Sequence, residues 1–457
     1  MKNQKIIAIS AGQLSHKKET NLVRKRIKYL NYGLLGLSTI LHEKLHLDII
    51  IFQADELRPE ELINKIERSG TDIGMCSYIL LSIPSFYSVS WCKEFCRLIK
   101  MNYNTTIIAG GRWVIDGNVS WVRAKVGYID EYIEGFGEKK LFERFGGNRN
   151  QIIDGDKQCF EKFDYSLLNE FEKYQPCIEV SRGCGAGCVF CADRGNQRLP
   201  NKSIKKIICE LDALDLLYPQ YTYYMEAPHF IFEKEWTDNL CYNLLKRERI
   251  HNWRCTSRVE SIPLDMLKYL GQAGLKVIDV GLESASFIQL KKMGKSIDPK
   301  KYLEKAEQIL DVCSQNNIWV KFNLLLYAGE TYKTIEETEE WLYKHRTQIK
   351  DVSVSSLVYY RNMGNIKELI KEGAKMPSDH LLEEQGYVNL DLSDEIPFAV
   401  AKEYLNRIPK LIANQRDFYD IKSIAYFPSN YSYNEFIADV KKCNVDDLPF
   451  CIDEVLP

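Results

Sequence analysis

Residues 177–195 read CIEVSRGCGAGCVFCADRG, a short apolar strand that runs into a glycine-rich loop with three cysteines. Cys184, Cys188 and Cys191 follow one another at spacings of four and three residues. Cysteines on such a loop occur in zinc sites, disulfides, dithiol redox pairs and iron–sulfur clusters. Which of the four this loop forms determines the chemistry that the surrounding fold has to support.

The composition is that of a folded protein with nearly balanced charge. The 457 residues, 45% of them hydrophobic, are enough for two or three domains. Lysine plus arginine number 61 and aspartate plus glutamate 63, so no basic field indicates a nucleic-acid partner. The longest apolar runs fall short of the ~20 residues of a membrane-spanning helix, and the start, MKNQKIIAIS, shows no cleavage site. We therefore expect a cytoplasmic protein that binds neither membrane nor nucleic acid.

Most of the other cysteines are predicted to be structural. Fourteen cysteines are scattered along the chain without an export signal, which indicates reduced thiols or metal ligands rather than disulfides. Cys92 and Cys96 lie four residues apart in a predicted helix and are a minor candidate for a second metal site. Cysteines that stand singly in apolar surroundings are predicted to pack in the core, among them Cys76, Cys159, Cys209, Cys241, Cys255 and Cys313.

The first part of the chain, residues 1–145, alternates short apolar strands with amphipathic helices. This pattern predicts a doubly wound, Rossmann-like parallel sheet. DIGMCSY, residues 72–78, is one of the predicted strands. Another strand, NTTIIAGG, ends on Gly110 and Gly111, where the backbone could approach a ligand closely at the carboxyl edge of the sheet. Residues 146–175 are polar and turn-rich, and we predict that they form a linker.

Behind the linker, residues 176–350 return to the alternation of strand and helix. Five such alternations after one cysteine loop predict a complete or partial parallel barrel of the TIM type, with its chemistry at the carboxyl ends of the strands. Residues 351–457 lose this regularity and are rich in tyrosine. We predict a mixed C-terminal domain that closes one end of the barrel and shapes the substrate pocket.

The spacing of the three cysteines favours an iron–sulfur cluster. A structural zinc site needs four ligands, usually as two pairs, and no second pair of Cys or His lies near this loop in the sequence. A redox pair of Cys188 and Cys191 would leave Cys184 without a role. Three thiolates on one loop can instead hold three irons of a [4Fe–4S] cube and leave the fourth iron open. The glycines between the cysteines allow the backbone to fold tightly around it.

With Phe190 before the last cysteine, the loop resembles the C-x3-C-x2-C signature of the radical S-adenosylmethionine (SAM) superfamily. The resemblance implies that Cys184, Cys188 and Cys191 ligate a [4Fe–4S] cluster to which SAM binds. It also implies a partial TIM-type barrel, reductive cleavage of SAM to a 5′-deoxyadenosyl radical, and removal of a hydrogen atom from a carbon of the substrate. An electron donor such as flavodoxin or ferredoxin is the implied partner.

Four later segments are similar to those by which this superfamily binds SAM. YMEAPHF contains Glu226 and resembles the strand end that holds the methionine amino group, although the usual glycines are missing. WRCTSRVESI contains Arg258, which the resemblance assigns to the cofactor carboxylate. VGLESAS contains Glu283 and Ser284, which would approach the methionine or the ribose hydroxyls. LLLYAGET resembles the turn that closes the far side of the cofactor.

The N-terminal region resembles the cobalamin-binding domain that precedes the barrel in one large subfamily. The resemblance implies that Gly110 and Gly111 lie at the corrin-binding edge. Many such domains supply a histidine through Asp-x-His-x-x-Gly, but His16, His42 and His46 lack the Asp and Gly at those offsets. Members without the histidine include both cobalamin-binding and cobalamin-free proteins, so the resemblance leaves this cofactor open.

We expect a tailoring reaction on a natural product, carbohydrate or peptide. Methyl transfer with cobalamin, dehydration and epimerisation are the three outcomes, and an epimerisation would need a thiol such as Cys443 or Cys451 near the substrate. Modification of transfer RNA is a further alternative, which the absence of a basic run disfavours. A non-catalytic metal-binding module is the last alternative, and it predicts that no 5′-deoxyadenosine forms.

Overall fold

The structure is a computed structural model that describes residues 5–14, 21–114, 118–152, 157–192, 194–361 and 363–452. The chain divides into two compact units. Lys28–Tyr174 and the described residues before position 15 form the first unit. Asn21–Ile27 and the residues from Gln175 onward form the second unit, so a short helix, α1 (Leu22–Lys25), belongs to the second unit although it precedes most of the first.

The first unit is a five-stranded parallel sheet with helices between the strands. Its strands are β1 (Lys5–Ser10), β2 (Asp48–Gln53), β3 (Tyr78–Ser82), β4 (Thr106–Gly110) and β5 (Glu131–Tyr132). Their order in the sheet is β2-β1-β3-β4-β5. The helices are α2 (Tyr32–Leu45), α3 (Pro59–Arg68), α4 (Val89–Asn102), α5 (Val119–Val126) and α6 (Glu138–Arg144).

Burial and capping explain why these segments form the sheet and its first long helix. Every residue of β1 after Lys5 is buried, as in central strands whose two faces are both covered by helices. Asn31 caps α2, because its Oδ1 accepts a hydrogen bond from the backbone N–H of Leu34 at 3.1 Å. The doubly wound parallel sheet confirms the fold class predicted for this region.

One predicted strand of the first unit is placed differently by the structure. Ile73–Met75 forms a 3-10 turn, and β3 begins only at Tyr78. The Oδ1 atom of Asp72 accepts a hydrogen bond from the backbone N–H of Gly74 at 2.8 Å. A side-chain bond of this kind offers the backbone an alternative to a sheet ladder, which is why the strand starts later than predicted.

The segment predicted to be a linker lies mostly in the first unit. It contributes three 3-10 turns, which are Arg149–Gln151, Tyr165–Leu167 and Phe171–Lys173. Tyr174 closes the unit, since its hydroxyl donates to Asp55 Oδ2 at 2.8 Å. The next residue, Gln175, already belongs to the second unit.

The second unit is built on a six-stranded parallel sheet whose strands follow the order of the chain. The strands are β6 (Cys177–Glu179), β7 (Tyr223–Glu226), β8 (Trp253–Arg258), β9 (Leu275–Glu283), β10 (Trp319–Leu326) and β11 (Ile349–Ser356). The intervening helices are α7 (Ile204–Leu217), α8 (Lys234–Leu245), α9 (Leu267–Gln272), α10 (Phe287–Lys292), α11 (Pro299–Gln315) and α12 (Tyr332–Lys344). With β6 and β11 as its edges, this sheet confirms the predicted partial TIM-type barrel.

The C-terminal part of the second unit mixes a small sheet with helices, as predicted. The strands β12 (Val358–Tyr360) and β13 (Tyr387–Asn389) pair antiparallel. The helices are α13 (Ile366–Lys371), α14 (Asp379–Gln385), α15 (Phe398–Lys410), α16 (Gln415–Ser423) and α17 (Tyr433–Val440). Val23 of α1 packs into an aromatic cluster around Phe418, Phe427 and Phe436, which ties α1 to this region. None of the described helices is both long and apolar enough to cross a membrane.

Buried charges link three barrel strands, β8, β9 and β10, to the C-terminal region. Arg254 Nε and Nη2 donate to the two carboxylate oxygens of Asp279 at 2.8 and 2.7 Å. Arg254 Nη1 donates to the backbone carbonyls of Ile421 and Ile424 at 2.9 and 3.0 Å. Lys321 Nζ adds a second cation to Asp279 at 3.0 Å. The end of α16 is therefore fastened to the barrel strands through this charge network.

Candidate functional site

The cysteine loop leaves the carboxyl end of β6 and returns on itself before α7. Leu199 N donates to Arg182 O at 2.8 Å, and Gly185 N donates to Asn196 O at 3.2 Å. The sequence pattern of glycines anticipated such a tight path. Gly183 has a φ of +69°, and a Cβ at this position would lie 2.1 Å from the Gln197 carbonyl oxygen. Only glycine therefore fits at position 183.

Alanine at position 183 is expected to prevent the loop from closing. We expect Gly183→Ala to lower iron retention about 10-fold or more, because metal sites lose this much when their supporting contacts are disturbed. Iron bound per chain after anaerobic reconstitution and gel filtration measures the effect. Gly187→Ala is the matched control, since a Cβ there has no neighbouring atom within 4 Å. Equal iron contents in the two variants would contradict the prediction.

The three thiols share one loop but are not gathered into a ligand set here. Cys188 is buried, whereas Cys184 and Cys191 are partly exposed. In the described part of the chain, no three His, Cys, Asp or Glu side chains lie close enough together to hold a metal ion. Thiolates on one tight loop are nevertheless the ligands that iron–sulfur clusters use, so the chemistry of the donor set fits a cluster.

Arg258, the last residue of β8, contacts one of these thiols. Its Nη1 donates to Cys188 Sγ at 2.8 Å, and its Nη2 donates to Glu260 Oε1 at 3.1 Å. Burial lowers the pKa of Arg258, but Glu260 and the Cys188 sulfur raise it more, so the pKa lies above its ordinary value. The structure therefore places Arg258 beside the cysteine loop, while contact with the cofactor carboxylate stays a prediction.

Phe190 and its neighbour Val189 are held by two later parts of the chain. The Phe190 ring meets the Tyr327 ring edge-on, with 6.4 Å between the centroids. Val189 N donates to Met293 O at 3.1 Å, and Asn365 Nδ2 donates to Val189 O at 3.0 Å. Sequence reasoning did not identify Asn365, because it belongs to the irregular C-terminal region and carries no motif.

Glu226 ends β7 next to the start of the cysteine loop. It pairs in register with Glu179 of β6, and its backbone carbonyl accepts from Val180 N at 2.8 Å. Burial raises the pKa of the Glu226 carboxyl to about 7, and the carboxylates of Glu179 and Asp279 act in the same direction. A cation bound beside Glu226 would stabilise the ionised carboxylate despite its burial. This suits the predicted role of holding an ammonium group.

Glu283 and Ser284, which are adjacent in the sequence, have different surroundings. Glu283 has a φ of +68°, an unusual conformation outside glycine, and its Oε1 accepts from Lys295 Nζ at 3.0 Å. The Ser284 side chain is buried, and its Oγ accepts from Ser286 N at 3.0 Å and lies 3.1 Å from Thr338 Oγ1. The structure thus brings Arg258 and Cys188 together, but it turns the Ser284 hydroxyl toward α10 and α12.

Hydrogen bonds to nearby residues and to the C-terminal region stabilise the LLLYAGET turn. Glu330 is buried, and burial raises the pKa of its carboxyl to about 7. The hydroxyl of Thr334 donates to Glu330 Oε2, and Gly329 N donates to Leu392 O at 2.7 Å. The C-terminal region therefore helps to fix the turn that the resemblance places at the far side of the cofactor.

Gly110 and Gly111, at the end of β4, differ in how much space surrounds them. A Cβ on Gly111 would lie 2.7 Å from Ile83 N, so this glycine serves the close packing of β4 against the end of β3. A Cβ on Gly110 would lie 3.5 Å from the backbone oxygen of Ile133, an ordinary van der Waals contact, so a small side chain would fit there. Asn31 Nδ2 bridges Ser10 Oγ and Ser82 Oγ at the neighbouring strand ends, at 2.9 and 3.0 Å. Binding of a corrin at this edge stays a prediction.

The two described N-terminal histidines lie at the end of α2. His42 lies in the last turn of α2, where its Nδ1 is 2.8 Å from Leu47 O, and His46 follows the same helix. His16 lies outside the described residues.

Comparison with known families identifies the barrel. Residues 178–342 match the model of the radical SAM superfamily. An uncharacterized methyltransferase of Pyrococcus horikoshii is 26% identical over 305 residues, which are 60% of this chain and 64% of the relative. The chain thus spans less than two thirds of that relative's length.

Solved structures resemble the chain beyond the barrel. TsrM from Kitasatospora setae, with cobalamin and a [4Fe–4S] cluster bound, aligns with a TM-score of 0.61 at 12% identity, over 82% of this chain and 78% of TsrM. OxsB, a cobalamin-dependent SAM radical enzyme with aqua-cobalamin bound, aligns with a TM-score of 0.61 at 16% identity, over 85% of this chain and 64% of OxsB. At such identities the likeness establishes the fold alone, which is a doubly wound N-terminal domain followed by a partial barrel.

Proposed function

We propose that this chain, whose residues 178–342 match the radical SAM superfamily, is a radical SAM enzyme that abstracts a hydrogen atom from a carbon of a small-molecule or peptide substrate. Together, the bound cluster and SAM would supply the 5′-deoxyadenosyl radical for this step, while the protein binds and positions the reactants. One observation carries the proposal: Arg258, at the carboxyl end of β8, donates to Cys188 on the glycine-rich cysteine loop. A tailoring reaction on a natural product, carbohydrate or peptide is the proposed type.

The residues around the loop have separate proposed roles. Cys184, Cys188 and Cys191 would hold three irons through their thiolates. Glu226, whose pKa is raised to about 7 by burial, would accept hydrogen bonds from the methionine ammonium of SAM. The buried charges around Asp279 hold the end of α16 against the barrel strands.

We further propose that the first unit binds cobalamin and that the reaction is a C-methylation. The support is the fold shared with TsrM and OxsB, whose structures contain cobalamin. The relative from Pyrococcus horikoshii carries the name of a methyltransferase. Dehydration and epimerisation are the competing outcomes, and neither needs a corrin.

Anaerobic reconstitution tests both parts of the proposal. Protein loaded with iron and sulfide, reduced with dithionite and given SAM, is expected to release 5′-deoxyadenosine and methionine, measured by liquid chromatography and mass spectrometry. A fully loaded cluster that yields no 5′-deoxyadenosine would contradict hydrogen abstraction and support a non-catalytic module. A parallel sample with hydroxocobalamin is desalted, and its visible spectrum is expected to show retained corrin. Complete loss of corrin would contradict C-methylation and favour dehydration or epimerisation.

A further inference from the structure

A buried histidine, His229, contacts the cysteine loop, although no role was predicted for it from the sequence. His229 lies three residues beyond Glu226 and is 7% exposed. Its Nδ1 is 3.3 Å from the backbone carbonyl oxygen of Cys184, and its Nε2 is 2.7 Å from Ser261 Oγ. The ring is thus held between the turn after β8 and the first cysteine of the loop.

The chemistry of the Cys184 carbonyl determines the direction of the hydrogen bond to the loop. A carbonyl oxygen only accepts, so Nδ1 must carry the proton and donate to Cys184 O. The Ser261 hydroxyl can donate or accept, and it orients the ring through Nε2 at 2.7 Å.

The same turn contacts the loop at a second cysteine. Arg258 ends β8, and Val259–Ser261 form the 3-10 turn that follows. Arg258 Nη1 donates to Cys188 Sγ at 2.8 Å, while Ser261 holds the histidine that donates to Cys184 O. One short segment therefore supports the loop at two of the three proposed ligands, once at the sulfur and once at the backbone.

We propose that His229 is a positioning residue for the [4Fe–4S] cluster and not one of its ligands. By holding the Cys184 carbonyl, it sets the backbone orientation from which the Cys184 thiolate reaches iron. Its N–H dipole, aimed at the cysteine loop, would stabilise negative charge added to a cluster held there and would keep the reduction potential of that cluster from falling. This inference rests on the proposed ligation of a cluster by the three cysteines.

Three variants separate the hydrogen bond from the shape of the ring. His229→Leu removes the donor and keeps an apolar group of similar size. His229→Asn keeps an amide N–H near the place of Nδ1, and Ser261→Ala removes only the group that orients the ring. The readouts are the rate of iron loss to a chelator after reconstitution and the midpoint potential from redox titration followed by electron paramagnetic resonance. Unfolding of the metal-free proteins in urea checks that each variant folds.

The three variants are expected to change the rate of iron loss and the midpoint potential by different amounts. His229→Leu should lose iron about 10- to 100-fold faster, the usual cost of removing a supporting hydrogen bond from a metal site, and its midpoint potential should be more negative. Ser261→Ala should change both readouts in the same direction but less, and His229→Asn should recover most of the wild-type behaviour.

Three results would overturn the inference. Wild-type behaviour of His229→Leu would show that the hydrogen bond has no role in positioning. An Asn variant as defective as the Leu variant would show that ring shape matters and the donor does not. Strong hyperfine coupling between the reduced cluster and ¹⁵N-labelled His229 would make the residue a ligand. If the wild-type protein itself bound no cluster, the proposed function would fail first, which distinguishes the two failures.

Discussion

The Cys188→Ala protein is expected to lose its cluster and, with it, the formation of 5′-deoxyadenosine. Cys188 is the buried cysteine of the loop and the one that accepts a hydrogen bond from Arg258. Removing a ligand should cost at least as much as removing a supporting contact, so we expect a decrease of about 100-fold or more in iron retention. Iron and sulfide analysis, the visible spectrum and 5′-deoxyadenosine release measure the three consequences separately.

A matched control is available on the neighbouring helix. Cys209 is an exposed cysteine of α7, and Cys209→Ala is expected to bind iron and release 5′-deoxyadenosine like the wild type. If Cys188→Ala also retained both properties, the assignment of the three cysteines as ligands would be wrong. If it retained iron but not 5′-deoxyadenosine, Cys188 would serve SAM cleavage in another way than by ligation.

Asp279→Asn is expected to destabilise the second unit by about 3–5 kcal/mol, the cost of breaking a buried ion pair. Asp279 compensates two buried cations, Arg254 and Lys321, at 2.7 and 3.0 Å. An amide in its place would leave both cations without a counter-charge and would loosen the attachment of α16. Urea unfolding at pH 7, followed by far-ultraviolet circular dichroism, measures the loss of stability.

A surface ion pair provides the control for this prediction. Asp212 pairs with Arg247 at 2.6 Å, but its side chain is 64% exposed. Asp212→Asn is therefore expected to cost only about 0–1 kcal/mol. Similar losses for the Asp279 and Asp212 variants would contradict the role assigned to the buried network.

The contribution of Asp279 to the free energy of unfolding should also depend on pH. Arg254 and Lys321 hold the pKa of its carboxyl below the ordinary value despite burial, which acts in the opposite direction. A lowered pKa in the folded state means that the stabilisation is present above the unfolded pKa of about 3.9 and is lost as the pH falls below it. The difference in unfolding free energy between the wild type and Asp279→Asn should therefore shrink in acid.

Local patterns in the sequence were enough to predict the architecture and the position of the loop. Alternating apolar strands and amphipathic helices are local patterns, so they predicted both the doubly wound sheet and the partial barrel. The spacing of Cys184, Cys188 and Cys191 is also local, because the three residues share one loop. The sequence failed at Ile73–Met75, where the side chain of Asp72 caps a 3-10 turn that hydrophobic pattern alone does not reveal.

The side chains that surround the loop could be identified only from the tertiary structure. Arg258 and Cys188 are 70 residues apart, and His229 and Cys184 are 45 apart, so no spacing pattern could have joined them. The register of parallel strands brings their carboxyl ends to one edge, and the backbone conformation there sets the direction of each side chain. Ser284 follows the same rule, because its Oγ lies 3.1 Å from the Oγ1 of Thr338, which is 54 residues away in the sequence.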